Sequence, residues 1–325
     1  MSRLFVPDPP GEETGSTEAD VVIVGGGPAG LTAAIYTSRE TLGTILLEQR
    51  QCGGLPLTTD IVENYPGFPE GITGSDLVAR MKDQASRFGT EIVEFGEVER
   101  TDRENDRIVV AGSGREYQAG AVVVASGSVP KKLDVPGEEE FVGKGVSYCA
   151  VCDGPFYKDR DVAVIGCGNS GLQEGMFLLD YVRSVTFVEF LPEMTGAKIL
   201  QDRLRKREGT TFLLNHALTA IEGEDFVESI TVRDRETGEE RKVEVSGVFI
   251  YAGFQPNTAF LQGVAELSSD GYVRTDEEMR TSAPGIFAAG DVRVKKIRQI
   301  TTACSDGTIA ALSASEYLRD GRSKG

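Results

Sequence analysis

The sequence predicts an α/β protein of two Rossmann-like, three-layer dinucleotide-binding domains, each extended by a small antiparallel β-sheet. Three matched pairs carry this expectation. Asp20-Val-Val-Ile-Val24 runs into Gly25-Gly-Gly-Pro-Ala-Gly30, and Asp161-Val-Ala-Val-Ile165 runs into Gly166-Cys-Gly-Asn-Ser-Gly171, so a buried strand followed by G-x-G-x-x-G occurs twice. After each loop comes a helical stretch and a second apolar strand, Thr44-Ile-Leu-Leu-Glu48 or Ser184-Val-Thr-Phe-Val-Glu189, whose terminal glutamate lies 18 residues past the third glycine. Ala121-Val-Val-Val-Ala-Ser-Gly127 and Gly247-Val-Phe-Ile-Tyr-Ala-Gly253 are the third pair, each an apolar strand ending in glycine with a proline soon after.

The spacing has a physical meaning. In such a loop the first glycine (Gly25, Gly166) permits the tight turn and the second (Gly27, Gly168) lets the backbone approach a pyrophosphate. The third (Gly30, Gly171) lets the helix pack on its strand. The helix N-terminus, with Pro28 and Ala29 in one copy and Asn169 and Ser170 in the other, faces the phosphates. Glu48 and Glu189 stand where adenosine ribose hydroxyls would be accepted. A single glycine loop is a weak signal, since such turns occur without ligands. Two copies in register make a flavin and a nicotinamide the natural pair of ligands.

The chain is expected to leave its first domain and return to it. A discontinuous FAD domain spans residues 17–130 and 255–325, and a nicotinamide-type domain, 131–254, is inserted between them. The polar, turn-rich stretches 97–118 and 222–245 read as the antiparallel additions. Residues 1–16, rich in Pro, Gly and Glu, read as a disordered tail. No apolar run has the length of a signal peptide or a membrane span, so a soluble cytoplasmic protein is expected.

A formal net charge of −17 argues against a nucleic-acid partner, which would need a basic patch. It fits either adaptation to high salt or an ordinary acidic enzyme. Five cysteines, an odd number, do not form a secreted disulfide framework. Two of them stand together in Ser147-Tyr-Cys-Ala-Val-Cys-Asp-Gly-Pro-Phe-Tyr157, inside the inserted domain. A zinc site would need two further ligands at suitable spacing, and the remaining candidates are isolated cysteines and His216. A buried structural pair and a dithiol that opens and closes both remain, with Asp153 and the flexible Gly154-Pro155 favouring the dithiol. His216, in "LLNHALT", is remote from every motif and reads as structural. Cys304 reads as a small buried thiol, and Cys167 has no chemical role.

These residues together resemble the low-molecular-weight thioredoxin reductases over nearly all of the chain after the tail. The resemblance is carried by GGGPAG at 25–30, Gly53-Gly54 with Val62-Glu-Asn-Tyr-Pro-Gly67, CAVCDGPFY, GCGNSG at 166–171, and Gly285-Ile-Phe-Ala-Ala-Gly-Asp-Val292 with Arg298-Gln299. It implies FAD held by Gly25, Gly27, Pro28, Ala29, Gly30, Glu48, Gly53, Gly54, Asn64, Gly127, Gly290, Asp291, Arg298, Gln299 and Ile300. Asp291 would bind the ribitol, although a loop aspartate capping the following helix reads the same way. A nicotinamide site would use Gly166, Gly168, Asn169, Ser170, Gly171, Glu189 and Gly253. The implied relay reduces a Cys149–Cys152 disulfide with Cys152 as the sulfur nearer the flavin, Cys149 attacks the disulfide of a thioredoxin-like partner, and Asp153 is the acid/base. A homodimer and a domain rotation hinged near Gly127 and Gly253 are further implications.

One departure concerns the donor. NADPH-using members carry a His-Arg-Arg run after the second Rossmann strand and another arginine beyond it, whereas this chain has Glu189-Phe190-Leu191 and Thr195. NADPH is therefore disfavoured, with no arginine expected near the ribose. NADH is allowed, and ferredoxin or a deazaflavin stays open as donor. Beside the reductase stand a flavin-dependent dithiol oxidase of the same fold and a non-catalytic flavin-binding interaction protein.

Overall fold

A computed structural model of the chain describes residues 16–104 and 106–322. The chain divides into two compact units, one of Met1–Pro56, Asp76–Ser128 and Pro256–Gly325, the other of Leu57–Ser75 and Val129–Gln255. Residues 57–75, expected in the first domain, group with the second. The expected tail falls outside the described residues except for Ser16, which opens the first strand, Ser16–Val24.

The first unit is built on a sheet in the order Glu91–Glu94, Thr44–Glu48, Ser16–Val24, Arg115–Val124, Arg107–Gly112, Arg100–Glu104, and Ile286–Ala288 also pairs with Arg115–Val124. Strands from Glu91–Glu94 to Arg115–Val124 run parallel, and the central ones are apolar where they pair, as strands covered on both faces must be. The last three form an antiparallel meander. The addition is thus not a separate sheet here, because Arg115–Val124 serves as its third strand and then as a central strand of the Rossmann core. The helices Pro28–Arg39 and Ile300–Arg322 pack on each other and on this sheet.

The second unit has a five-stranded parallel sheet, Val146–Ser147, Gly247–Ile250, Asp161–Ile165, Ser184–Glu189, Thr210–Leu214. Alternate residues divide its faces. Val162, Val164, Val185, Phe187 and Phe249 pack with the side bearing helices Asn169–Leu178 and Lys198–Arg205. Ala163, Ile165, Val188, Val248 and Ile250 pack against a separate three-stranded antiparallel sheet, His216–Gly223, Val227–Asp234, Glu240–Glu244. Helices, parallel sheet and small sheet make the three layers the sequence predicts. No helix among the described residues is long and apolar enough to cross a membrane.

Candidate functional site

In the first unit the glycine loop joins Ser16–Val24 to Pro28–Arg39, with Pro28 at the start of the helix, where its missing N–H costs nothing. Gly25 has φ +108°, and a Cβ there would lie 2.3 Å from the Ala125 carbonyl oxygen. A Cβ on Gly30 would lie 1.8 Å from the Gly25 oxygen, so helix and strand touch through backbone. Gly27 differs, since its Cβ would meet nothing closer than Gly54 Cα at 3.9 Å. The protein leaves that space open, which is the cradle a pyrophosphate needs. Gly53 N–H donates to the Gly26 oxygen at 2.9 Å and holds the 53–54 turn against the loop.

Glu48 accepts the Gly26 amide at 2.7 Å through Oε2 and the Arg50 amide at 2.9 Å through Oε1. Near the chain's end the 3-10 turn Gly290–Val292 precedes the long helix. Gly290 comes against the first helix, where its Cβ would lie 2.8 Å from Ala29 Cβ. Asp291 Oδ1 and Arg298 Nε are buried without a hydrogen-bond partner among the described residues. Burial raises the Asp291 carboxyl, opposed by the charges of Lys295 and Arg298. A buried acceptor and a buried donor with no hydrogen-bond partner among the described residues fit a polar ligand such as FAD. Gln299 N–H is taken up by Thr302 Oγ1 at 3.2 Å, and Ile300 opens the last helix.

Sequence reasoning missed the ions that brace this turn. Asp306, on the last helix, accepts from Gly290 N–H at 3.1 Å, Arg293 Nη1 at 3.1 Å and Lys295 Nζ at 2.8 Å. No motif points to it, because its partners all come from the single segment 290–295, which tertiary packing brings against the last helix. Cys304 is half-buried rather than buried, with Sγ 4.0 Å from the Pro28 oxygen. Gly127 and Gly253 have φ +64° and +105°, and each is tied within its own unit, by Asn257 N–H at 3.2 Å and Lys131 N–H at 2.9 Å.

In the second unit the glycine loop repeats these contacts. Cβ atoms on Gly166 and Gly171 would clash with backbone, at 2.4 Å from the Tyr251 oxygen and 1.9 Å from the Gly166 oxygen, while on Gly168 the nearest atom is Thr195 Oγ1 at 3.7 Å. Glu189 is buried and accepts the Cys167 amide at 2.6 Å and the Leu191 amide at 2.9 Å. Asn169 Oδ1 accepts Ala197 N–H at 2.7 Å and holds the segment after Glu189 across the loop. Ser170 lies in the first turn of the helix Asn169–Leu178. Beyond Glu189, Arg235 lies over the Phe190 ring, guanidinium carbon 3.7 Å from the centroid. A hairpin distant in sequence delivers it.

Cys149 and Cys152 form a disulfide, Cα atoms 5.4 Å apart, around the short helix Ala150–Asp153. Cys149 is the N-cap, and its sulfur accepts Cys152 N–H at 3.2 Å. Ser147 Oγ accepts the Cys149 amide at 3.0 Å, and the Tyr251 hydroxyl accepts the Ala150 amide at 2.9 Å. Tyr148 Oη donates to Glu138 at 2.7 Å, anchoring the approach to the helix. Cys152 is exposed, Cys149 and Asp153 half-buried. Asn64 lies with residues 63–69 along an open concavity of this unit. His216 bonds through Nδ1 to the Leu214 oxygen at 2.7 Å.

Residues 19–307 match the family described as pyridine nucleotide-disulphide oxidoreductase. The chain belongs to that family. It is 42% identical to a thioredoxin reductase of Peptoclostridium litorale, over 93% of this chain and 97% of the relative. Against a thioredoxin reductase of Bacillus subtilis the identity is 43%, over 93% and 95%. The crystal structure of Lactococcus lactis thioredoxin reductase superposes with TM-score 0.91 at 38% identity, covering 93% of this chain and 99% of that one. This pyridine nucleotide-disulphide oxidoreductase is FAD-dependent, its reducible disulfide is Cys149–Cys152, and its class uses a nicotinamide cofactor.

Proposed function

We propose that the protein is a thioredoxin-disulfide reductase that passes electrons through FAD to Cys149–Cys152 and on to the disulfide of a thioredoxin-like protein, with NADH favoured over NADPH as donor. The observation that carries this is the Cys149–Cys152 disulfide on a braced surface helix, in a chain whose relatives are named thioredoxin reductases. Gly27, Gly54, Glu48, Asp291 and Arg298 would hold the FAD, which when bound supplies two-electron transfer between donor and disulfide.

The chain's own groups do the thiol chemistry. As the N-cap, Cys149 has its sulfur against the Cys152 amide, which stabilises a thiolate there. The Cys149 thiolate attacks one sulfur of the partner's disulfide, and the other sulfur leaves, taking a proton supplied by Asp153. The Cys152 thiolate then attacks Cys149 Sγ, restoring the internal disulfide and freeing the second partner thiol. The donor preference rests on Glu189, whose carboxylate accepts a ribose hydroxyl and repels a 2′-phosphate. The cysteines outside the disulfide, Cys52, Cys167 and Cys304, fit a reducing cytoplasm, and a homodimer is the assembly proposed.

The test is a donor screen under anaerobic conditions that follows loss of flavin colour with NADH, NADPH, reduced ferredoxin and reduced deazaflavin, then thioredoxin thiol release. Bleaching by NADH at least tenfold faster than by NADPH, with stoichiometric thiols, is the expected result. Bleaching by ferredoxin or deazaflavin alone defeats the NADH assignment. Oxygen uptake driven by a dithiol, with no thioredoxin reduction, would identify an oxidase instead.

A further inference from the structure

Phe190 follows Glu189 directly, is 55% exposed, and holds a cation against its ring. That cation is Arg235, 45 residues further on, where the chain leaves the strand Val227–Asp234. Its Nη1 donates to the Phe190 carbonyl oxygen at 2.9 Å and to Asn215 Oδ1 at 3.2 Å. Asn215 has φ +58°, its amide donates to the Leu191 oxygen at 2.8 Å, and its own carbonyl accepts the Arg235 amide at 2.9 Å. Three connections, at residues 190–191, at Asn215 and at Arg235, are therefore stitched together around an exposed arginine. A guanidinium carbon 3.7 Å from a ring centroid is at the distance of stacking contact. The guanidinium contacts the ring, and the residue as a whole is exposed.

We infer that Arg235, stacked on Phe190, is the platform on which the adenine of a dinucleotide donor rests, beside the ribose held by Glu189. The inference rests on the nicotinamide reading above and names the residue that serves its adenosine end. A planar cation stacks on a purine face as it does on the phenyl ring, so phenyl, guanidinium and adenine form one column. Nη1 is already committed to the Phe190 and Asn215 oxygens, which leaves less of the fork for a 2′-phosphate, and the Glu189 carboxylate next along the chain opposes that dianion. The arginine thus serves a ligand with a free 2′-hydroxyl.

The chain has no tryptophan, so binding is followed by titration calorimetry on the FAD-loaded protein. The probes are ADP-ribose and adenosine 2′,5′-bisphosphate. Arg235→Ala should weaken ADP-ribose by about tenfold, the scale of a partly desolvated cation–π contact. Arg235→Lys keeps the charge but lacks the flat face, and should bind as weakly as Arg235→Ala. FAD content and the dithiol titre should match the parent in both variants. Unchanged ADP-ribose affinity in Arg235→Ala, or full recovery in Arg235→Lys, overturns the platform while leaving the donor reading in place. A parent that prefers the 2′,5′-bisphosphate and loses the preference in Arg235→Ala assigns Arg235 to a phosphate and also overturns it. A parent that binds neither probe removes the nicotinamide reading and this inference together.

Discussion

The hydroxyl oxygen of Tyr251 accepts the amide N–H of Ala150 at 2.9 Å, so the residue after a sheet strand holds the first turn of the disulfide helix. Ala150 is fully buried, and the hydroxyl is the acceptor its amide uses. Burial, with Glu174 and Asp153 nearby, raises the Tyr251 phenol well above its ordinary range, so it stays protonated and its oxygen remains an acceptor.

Tyr251→Phe removes that acceptor and little else. An unsatisfied buried amide costs about 1–3 kcal/mol, which is local to the helix Ala150–Asp153. Hydrogen exchange at residues 150–153 should speed up about tenfold or more and disulfide turnover should fall, while FAD content stays at the parental value. Exchange rates equal to the parent's would show that the helix is held by Ser147 and its own turn.

The two kinds of glycine in the first loop should separate cleanly. A Cβ on Gly27 meets nothing within 3.9 Å, so Gly27→Val is expected to fold and to purify colourless, because its side chain fills the pyrophosphate cradle. Gly30→Ala puts a methyl 1.8 Å from the Gly25 oxygen, so it should lose soluble folded protein as well as colour. Circular dichroism and flavin absorbance on both variants check this. A yellow Gly27→Val would remove FAD from this loop.

Thiol chemistry should be confined to the pair. Burial, with nearby acids, pushes the Cys52 and Cys167 thiols up to about 12. At pH 8 about one molecule in ten thousand of either would be thiolate. In a Cys304→Ser background, the reduced protein should take up iodoacetamide at Cys149 and Cys152 before any label reaches Cys52 or Cys167, as mass spectrometry of peptides would show. Single Cys149→Ser and Cys152→Ser variants should each lose disulfide turnover. Rapid labelling of Cys167 in the folded protein would contradict its burial.

What was legible in the sequence was whatever the backbone repeats. Glu48 and Glu189 stand at equal spacing from their glycines and make the same pair of amide bonds, so one rule found both. The disulfide pair announced itself by spacing. Asp306, Tyr251, Glu174 and Arg235 did not, because each meets its partners through tertiary packing rather than periodicity. Arg235 shows the difference best. No local pattern marks it, and only the hairpin geometry around Asn215 sets it on Phe190. The same reason hid the continuity of the first antiparallel addition with its parallel sheet, since one strand carries both roles.

Glu174 gives a pH signature that can be read without turnover. Its side chain is buried on the helix Asn169–Leu178, and Oε2 has no hydrogen-bond partner among the described residues. Burial first, then the charge of Asp60, raises its carboxyl from 4.5 to about 8. Between those values the folded chain keeps a proton that the unfolded chain has released, so stability falls as pH rises. The contribution is complete below pH 4.5, is lost progressively on the way to pH 8, and levels off above it. Its size is on the order of a few kcal/mol, since each tenfold change in proton affinity corresponds to about 1.4 kcal/mol. Glu174→Gln carries no titrating proton and should remove this slope. Thermal melts of FAD-loaded parent and variant should nearly coincide at about pH 5, and the variant should melt several degrees higher at about pH 8.5. Curves that stay parallel across the whole range would mean that Glu174 is ionised in the folded protein, with a partner supplied on folding.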